Sequence, residues 1–390
     1  MDARMSFARV NLGAIAANTR QFRQLLPATT LLGAVVKADG YGHGAVPVAQ
    51  AALAAGADWL MVATVREGIT LRAAGFTARI LVLSPTDPAE APALVHYSLT
   101  PMVTHFAQTD ALAAAARAVG VPPPCVHVKV DTGLGRYGVE AGEAVAFVRG
   151  LMAQRGGVVV EGIATHFATA DQPDDAWMHE QAARFAALVA ALEREGVRPP
   201  IAHAANSGAT MQGVALWDMV RVGIALYGIP PDAATPQPFL LLPALGIESR
   251  IARVFTVLPG GSVGYGRTFI ATEPTRAALV PLGYADGLPR LLSNRGGVLI
   301  DGAWCRLIGR VSMDQCVVAL PPDSPAHVGD PVIIVGQSGT ASQTLAQLGD
   351  MAETIPYELA TRFGTRLERR YGDNEARGPE RLARFLLPVR

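Results

Sequence analysis

At 390 residues, half of them apolar, the chain is longer than one hydrophobic core usually serves, so two domains are expected. Lys plus Arg equals Asp plus Glu at 33 each, leaving no basic surplus to neutralise nucleic-acid phosphates or hold anionic lipid; a small-molecule partner fits better. The three cysteines, Cys125, Cys305 and Cys316, are too scattered for a disulfide framework or zinc site; with no apolar signal segment and no membrane-length apolar run, a cytoplasmic location is expected.

Taken in chain order, the first ten residues could add a strand to either half. From Leu31 onward, short β-branched runs alternate with Ala-rich stretches of helical period, the pattern of βα units with parallel strands. Strands are expected at Leu31 to Val36, Trp59 to Ala63, Ile80 to Leu83, Leu99 to Val103, Cys125 to Val130, Val158 to Thr165, Ile201 to Ala204 and Met219 to Val222. Eight in succession match an α/β fold of the (β/α)₈ barrel type, although a doubly wound sheet fits the count as well. After Tyr227 the rhythm breaks at GIPPDAATPQP, which puts a domain boundary near residue 240: a barrel over 1–240 and a mostly-β domain over 241–390. The second half alternates at Arg250 to Leu258, Ala277 to Pro281, Val298 to Ile300 and Val332 to Val335, between Gly-Gly and Pro-Gly turns. The polar tail after Tyr371 carries no readable chemistry.

The segment LLGAVVKADGYGHG puts Lys37 at a strand end, ahead of a Gly-rich turn, where a barrel gathers its catalytic groups. Lysine amines condense with aldehydes, and partial desolvation lowers the ammonium pKa and frees the lone pair. Tyr41 and His43 add polar groups around the same turn, while Gly40, Gly42 and Gly44 allow close backbone approach.

AVVKADGYGHG resembles the pyridoxal-phosphate attachment motif of the alanine racemase family. Similar segments follow in order along almost the whole chain: KVDTGLGRYG, GIATHFATAD, NSGAT, VRVGIALYG, VGYGRTF, LGYADG, GRVSMDQ and TIPYE. The resemblance implies an N-terminal barrel, a C-terminal β domain, pyridoxal 5'-phosphate as cofactor and interconversion of L- and D-alanine, which supplies D-alanine to bacterial peptidoglycan.

It also implies roles residue by residue. Lys37 carries the cofactor, and Arg221 lies against its pyridine nitrogen. Guanidinium only donates hydrogen bonds, so it discourages protonation of that nitrogen and weakens the ring as an electron sink, which favours racemisation. Phosphate needs N–H donors and hydroxyls. Ser207, at a plausible helix N-cap, Gly223, Ile224 and Tyr357 are the matching residues, with Asn206 and Tyr41 nearby. His166 ends the sixth strand and links Arg221 to the catalytic tyrosine. Arg136 has the planar fork to hold a substrate carboxylate, Met313 contacts substrate through its backbone, and Lys129 matches a lysine that is carbamylated in many members.

Racemisation removes a proton from one face of Cα and returns one to the other, which two groups on opposite faces solve. Tyr265, in PGGSVGYGRTF, is the partner of Lys37; in the family it reaches the other subunit's cofactor, which implies an obligate homodimer with shared sites. Asp171, Tyr284, Arg290, Arg310 and Ile355 match the family's substrate corridor. The chain departs from the pattern at Gly264, where many members have Ser, and in FGTRLERRY. A racemase of serine or of several amino acids is the nearest alternative. A barrel-plus-β decarboxylase would place a carboxylate at the pyridine nitrogen, against Arg221, and a non-enzymatic cofactor-binding barrel would not need Tyr265 or Met313.

Overall fold

Short runs of Leu, Val, Ile and Met form eight parallel strands: Leu31–Val35, Trp59–Val62, Arg79–Val82, Thr100–Val103, Cys125–Asp131, Val159–Ala164, Ile201–His203 and Met219–Val222. The computed structural model describes residues 5–153, 157–172 and 175–372; the tail from residue 373 lies outside the described residues. Each strand pairs with two neighbours. Met102 opposite His127 joins the fourth strand to the fifth, and Val222 opposite Ala34 joins the eighth to the first, so the sheet closes into a barrel and the doubly wound alternative is excluded.

Trp59–Val62, Thr100–Val103 and Met219–Val222 are buried at every position, as expected where a parallel sheet is covered on both faces. The flanking helices carry local start and stop signals. Val65–Ala73 opens on a capping box between Thr64 and Glu67, and Phe106–Val119 closes on Gly120 in the left-handed region at φ 69°. Ordinary barrel interiors are filled by branched apolar side chains. Here His127, Lys129, His203 and Arg221 are buried among them.

Among the described residues, 14–40 and 45–242 make up this barrel unit, and 5–13, 41–44 and 243–372 a second one. The strand Phe7–Asn11 pairs antiparallel with Leu245–Arg250 and parallel with Glu368–Gly372, so the first ten residues add their strand to the second unit. That unit therefore takes in two short segments that a division at residue 240 assigns to the barrel.

In the second unit the main sheet runs Ala303–Arg306, Gly297–Ile300, Pro331–Ser338, Leu245–Arg250, Phe7–Asn11, Glu368–Gly372. The alternation from Arg250 to Leu258 is not one strand. The Ile251 N–H bonds to Asp330 O and the Ala252 N–H to Leu279 O, so the backbone changes partners there. Arg253–Val257 then joins a separate three-stranded sheet with Thr275–Val280 and Cys316–Ala319. A two-stranded hairpin, Ser262–Val263 with Phe269–Ile270, projects beside it; Val263, Val257, Ala271, Ala277 and Ile308 form its core with Phe255 and Phe269 packed against them.

Candidate active site

Lys37 follows the first barrel strand, and its amine has no hydrogen-bond or ion-pair partner among the described residues. Burial and the Arg136 and Arg221 guanidiniums hold its ammonium below the ordinary lysine range, with Glu67 opposing. The next four residues take left-handed backbone: Ala38 at φ 52°, Asp39 at 52°, Gly40 at 62° and Tyr41 at 50°. Such a run is costly for L-residues. It is held by Gly40 N–H to Val36 O at 2.9 Å, by Ala45 N–H to Asp39 Oδ1 at 2.8 Å, and by Ala38 N–H to Glu67 Oε1 at 2.7 Å.

Arg221, on the eighth strand, is buried and has no carboxylate partner among the described residues. Its Nη1 donates to His203 Nδ1 at 2.9 Å, and its Nη2 is shared by Thr165 O at 2.8 Å, Ala204 O at 2.8 Å and His166 Nδ1 at 3.1 Å. Nε–H takes none of these contacts. Burial lowers the guanidinium pKa to about 10, and burial together with Arg221 holds His166 and His203 well below their ordinary values, so both imidazoles are neutral acceptors at Nδ1.

Beside it, Ser207 Oγ accepts the Gly223 N–H at 3.0 Å and the Ala225 N–H at 3.5 Å. The helix cap expected at Ser207 is instead Asn206, whose Oδ1 accepts the Ala209 N–H at 3.1 Å; Ser207 is the first helical residue. That frees the Ser207 hydroxyl to face Gly223. Ile224 begins a short 3₁₀ turn, and the neighbouring Ala225 supplies the second N–H.

The loop after the fifth strand is organised by Asp131, whose carboxylate accepts the N–H groups of Gly133 at 2.8 Å, Leu134 at 2.9 Å and Arg136 at 3.1 Å. Although burial opposes it, these N–H donors keep the Asp131 carboxyl below its usual range. Arg136 is exposed, with no carboxylate partner among the described residues. Lys129 is buried, donates to Val130 O at 2.8 Å and lies 5.3 Å from the centre of the Tyr137 ring. Burial and the Arg221 and Arg136 charges lower its pKa to about 7.

Apart from Asp171, the remaining expected residues lie in the second unit. Tyr265 is 73% exposed, between Gly264 at φ 71° and Gly266 at φ 72° in the turn of the hairpin. Gly264 combines that φ with ψ −175°, a region essentially restricted to glycine, so this departure suits the backbone here. Met313 is exposed; its carbonyl accepts the Ala285 N–H at 3.0 Å, while its own N–H has no partner among the described residues. Burial pushes the Tyr41 phenol up to about 12, and Tyr357 is the second residue of the helix Pro356–Arg362. Tyr284, Arg290, Arg310 and Ile355 are exposed on this unit, and Asp171 is exposed on the barrel unit.

Several contributors escaped the sequence reading. Glu67 was detectable from its spacing, since Thr-x-x-Glu signals a capping box. Arg369, in the altered FGTRLERRY segment, donates from Nε and Nη2 to Gly42 O at 3.0 and 2.9 Å, which anchors the Gly-rich turn. His203, His127 and Glu161 carry no local signal, because their relationship exists only across the barrel.

Residues 10–231 match the family described as alanine racemase, N-terminal domain, and residues 244–371 match alanine racemase, C-terminal domain. Alanine racemase of Symbiobacterium thermophilum is 44% identical over 374 residues, covering 96% of this chain and 98% of the relative. The crystal structure of alanine racemase from the D-cycloserine-producing Streptomyces lavendulae superposes with a TM-score of 0.90 at 39% identity, covering 95% of this chain and 98% of that one. Alanine racemase from Bartonella henselae, solved with covalently bound pyridoxal phosphate, has a TM-score of 0.84 at 28% identity, covering 94% and 99%.

Proposed function

This chain belongs to the alanine racemase family, which interconverts L- and D-alanine, and from that premise we propose that Lys37 and Tyr265 are its two acid/base groups. The observation that carries this is the Lys37 amine, unpartnered among the described residues and held below its ordinary pKa at the end of a barrel strand. The donor set fits pyridoxal phosphate. Lys37 is available to the aldehyde, Arg221 Nε–H to the ring nitrogen, and Ser207 Oγ with the Gly223 and Ala225 N–H groups to the phosphate, with Asn206, Ile224, Tyr41 and Tyr357 contributing around it. When bound, the cofactor acidifies the substrate Cα–H by spreading the electron pair left behind.

Lys37 holds or releases a proton on one face of Cα and Tyr265 does so on the other. Arg221 donates without accepting and keeps the ring nitrogen unprotonated. His166 joins Arg221 to the tyrosine side of the site. Arg136 takes the substrate carboxylate, with the Met313 N–H as a further donor; carbamylation of Lys129 would place an anion that orients Arg136. Asp171, Tyr284, Arg290, Arg310 and Ile355 line the approach and favour small amino acids.

Because Tyr265 is largely exposed on its own chain, we assign its action to the partner's site in an obligate homodimer. The working division is a cofactor-binding barrel over 1–240 and a β domain over 241–390 that supplies Tyr265, with the short segments 5–13 and 41–44 exchanged to the β domain. Among the described residues no helix is long and apolar enough to cross a membrane. We place the enzyme in the cytoplasm, supplying D-alanine for peptidoglycan. The test is purified protein incubated with L-alanine: D-alanine should form while the visible absorbance of lysine-bound cofactor is present, and serine should be a poor substrate. Racemisation of serine at equal efficiency would favour the broader-specificity alternative.

A further inference from the structure

Arg221 begins a line of buried polar groups that runs through the barrel interior. His203 Nε2 lies 2.8 Å from His127 Nδ1, whereas His127 Nε2 makes no hydrogen bond among the described residues and faces Glu161 Oε2 at 3.6 Å, an electrostatic contact beyond hydrogen-bond range. Glu161 is in turn paired with Arg79, whose guanidinium stacks 4.7 Å over the Trp59 ring. His203 ends the seventh strand and His127 sits on the fifth, so their contact passes over the sixth. Gly162 of that intervening strand makes room: a Cβ there would come within 2.4 Å of His127 Nδ1. Arg79 opens the third strand and Glu161 lies early in the sixth, so the line ends toward the face of the barrel opposite Lys37.

The direction of this line is forced. A guanidinium has no acceptor, so Arg221 must donate to His203 Nδ1, and the His203 proton then resides on Nε2. That N–H donates to His127 Nδ1, which puts the His127 proton on Nε2, toward the Glu161 carboxylate. Both imidazoles are completely buried, and burial holds both below their ordinary pKa, so neither carries a second proton at neutral pH. Against the effect of its own burial, His127 and Arg79 hold the Glu161 carboxyl below its usual range, so the far end of the line is an anion.

We propose that Glu161 is a positioning residue for the reaction: through the two neutral, singly oriented imidazoles of His127 and His203 it fixes one edge of the Arg221 guanidinium. The physics is related to that of a carboxylate behind a metal-bound histidine, where a negative group on one side of the ring strengthens the other nitrogen as a base; here Glu161 acts as a nearby charge 3.6 Å from His127 Nε2 rather than as a hydrogen-bond acceptor. The field of Glu161 polarises His127, and the two hydrogen-bonded links from His127 to His203 and from His203 to Arg221 pass that bias on without a charge buried against Arg221. Arg221 is thereby held with Nε–H presented to the site rather than drawn to a carboxylate. Its catalytic consequence rests on the assignment of Arg221 to the cofactor ring nitrogen; the direction of the line does not.

The experiment has two arms. In the first, nitrogen-15 histidine spectra of the apoprotein should show His203 and His127 neutral, with the proton on Nε2 and an unprotonated Nδ1, at neutral pH. A proton on Nδ1 of either ring, or a doubly protonated ring, overturns the proposal whatever the cofactor does. In the second, Glu161→Gln should lower kcat about tenfold in both directions with KM for alanine little changed, the loss usual when a group behind a first ligand is removed. In an Arg221→Lys background the same Glu161→Gln change should have no further effect on kcat, because its target is gone. An equal loss in both backgrounds would make Glu161 a merely structural residue and overturn its action through Arg221. If Arg221→Lys alone left kcat and the cofactor absorbance unaltered while the spectra were as expected, the line would stand and the assignment of Arg221 to the ring nitrogen would fall.

Discussion

The Glu67 carboxylate accepts the Ala38 N–H through Oε1 at 2.7 Å while its Oε2 accepts the Ala63 N–H at 2.7 Å, so one side chain ties the turn after Lys37 to the turn between the second barrel strand and its helix. Glu67→Ala should destabilise the fold by about 1 kcal/mol, the scale of losing a capping box with one half-buried donor at Ala63 while the exposed Ala38 N–H turns to water, and should weaken covalent capture of the cofactor. Glu67→Gln keeps one carbonyl oxygen, so it should retain most of the thermal stability but still lose the grip on Ala38. Calorimetry and cofactor titration check the pair; wild-type cofactor affinity in both variants would contradict a positioning role.

Lys37→Ala should abolish the borohydride-reducible linkage and its visible absorbance, since Lys37 is the lysine whose amine is assigned to the cofactor aldehyde. Peptide mapping after reduction is the check. A trapped adduct on another lysine, Lys129 included, would contradict the assignment.

Lys129 gives a pH dependence with a definite sign. Its pKa is lowered to about 7 in the folded chain, against roughly 10.4 when unfolded. Below about 7 both states are protonated and the folded state bears the cost of a buried ammonium. Between about 7 and 10 the unfolded state binds more protons, so this group makes stability rise with pH across that window. In carbon-dioxide-free buffer, Lys129→Met should flatten that part of the melting-temperature profile. With carbon-13 bicarbonate present, the neutral amine should add carbon dioxide, form an N–C bond and release one proton, giving a carbamate resonance absent from Lys129→Met. An identical slope in wild type and variant would contradict the shifted pKa.

Gly208 lies against the Ala170 carbonyl so closely that a Cβ would fall 2.1 Å from its oxygen. Gly208→Ala must therefore displace the short helix Ser207–Met211, and Ser207 with it. Cofactor affinity should fall about tenfold, equivalent to ~1.4 kcal/mol, with kcat at saturating cofactor less affected. Unchanged affinity would contradict the placing of the phosphate at Ser207.

Much of this arrangement is legible in the chain because its signals are local. β-branched runs mark the barrel strands, and residues that end them, such as Lys37 and His166, fall where a barrel builds its site. What is not legible depends on partners distant in sequence. Asn206 and Ser207 are both good caps, and the choice between them is made by the distant Gly223 N–H that engages Ser207. The run through Ile251 and Ala252 alternates like one strand, yet Asp330 and Leu279 divide it between two sheets. His127 and His203 are separated by 76 positions, so only barrel closure makes them neighbours.

Shared sites make a complementation prediction. Lys37→Ala and Tyr265→Phe homodimers should each be inactive, whereas mixed heterodimers should contain one site with both wild-type groups and recover part of the activity. Verified heterodimers with no recovered activity would contradict the shared site.

The central claim, that Lys37 and Tyr265 serve opposite faces of Cα, is tested most directly by exchange of the alanine Cα hydrogen with deuterated solvent in Tyr265→Phe. The ring is kept, and Tyr265 is 73% exposed on its own chain, so the fold of that chain should survive. Exchange of D-alanine should persist, because Lys37 still removes and returns a proton on its own face. Exchange of L-alanine should fall by about a hundredfold or more, the scale of losing a general base. Equal loss of exchange for both enantiomers, or equal retention, would contradict the two-face assignment.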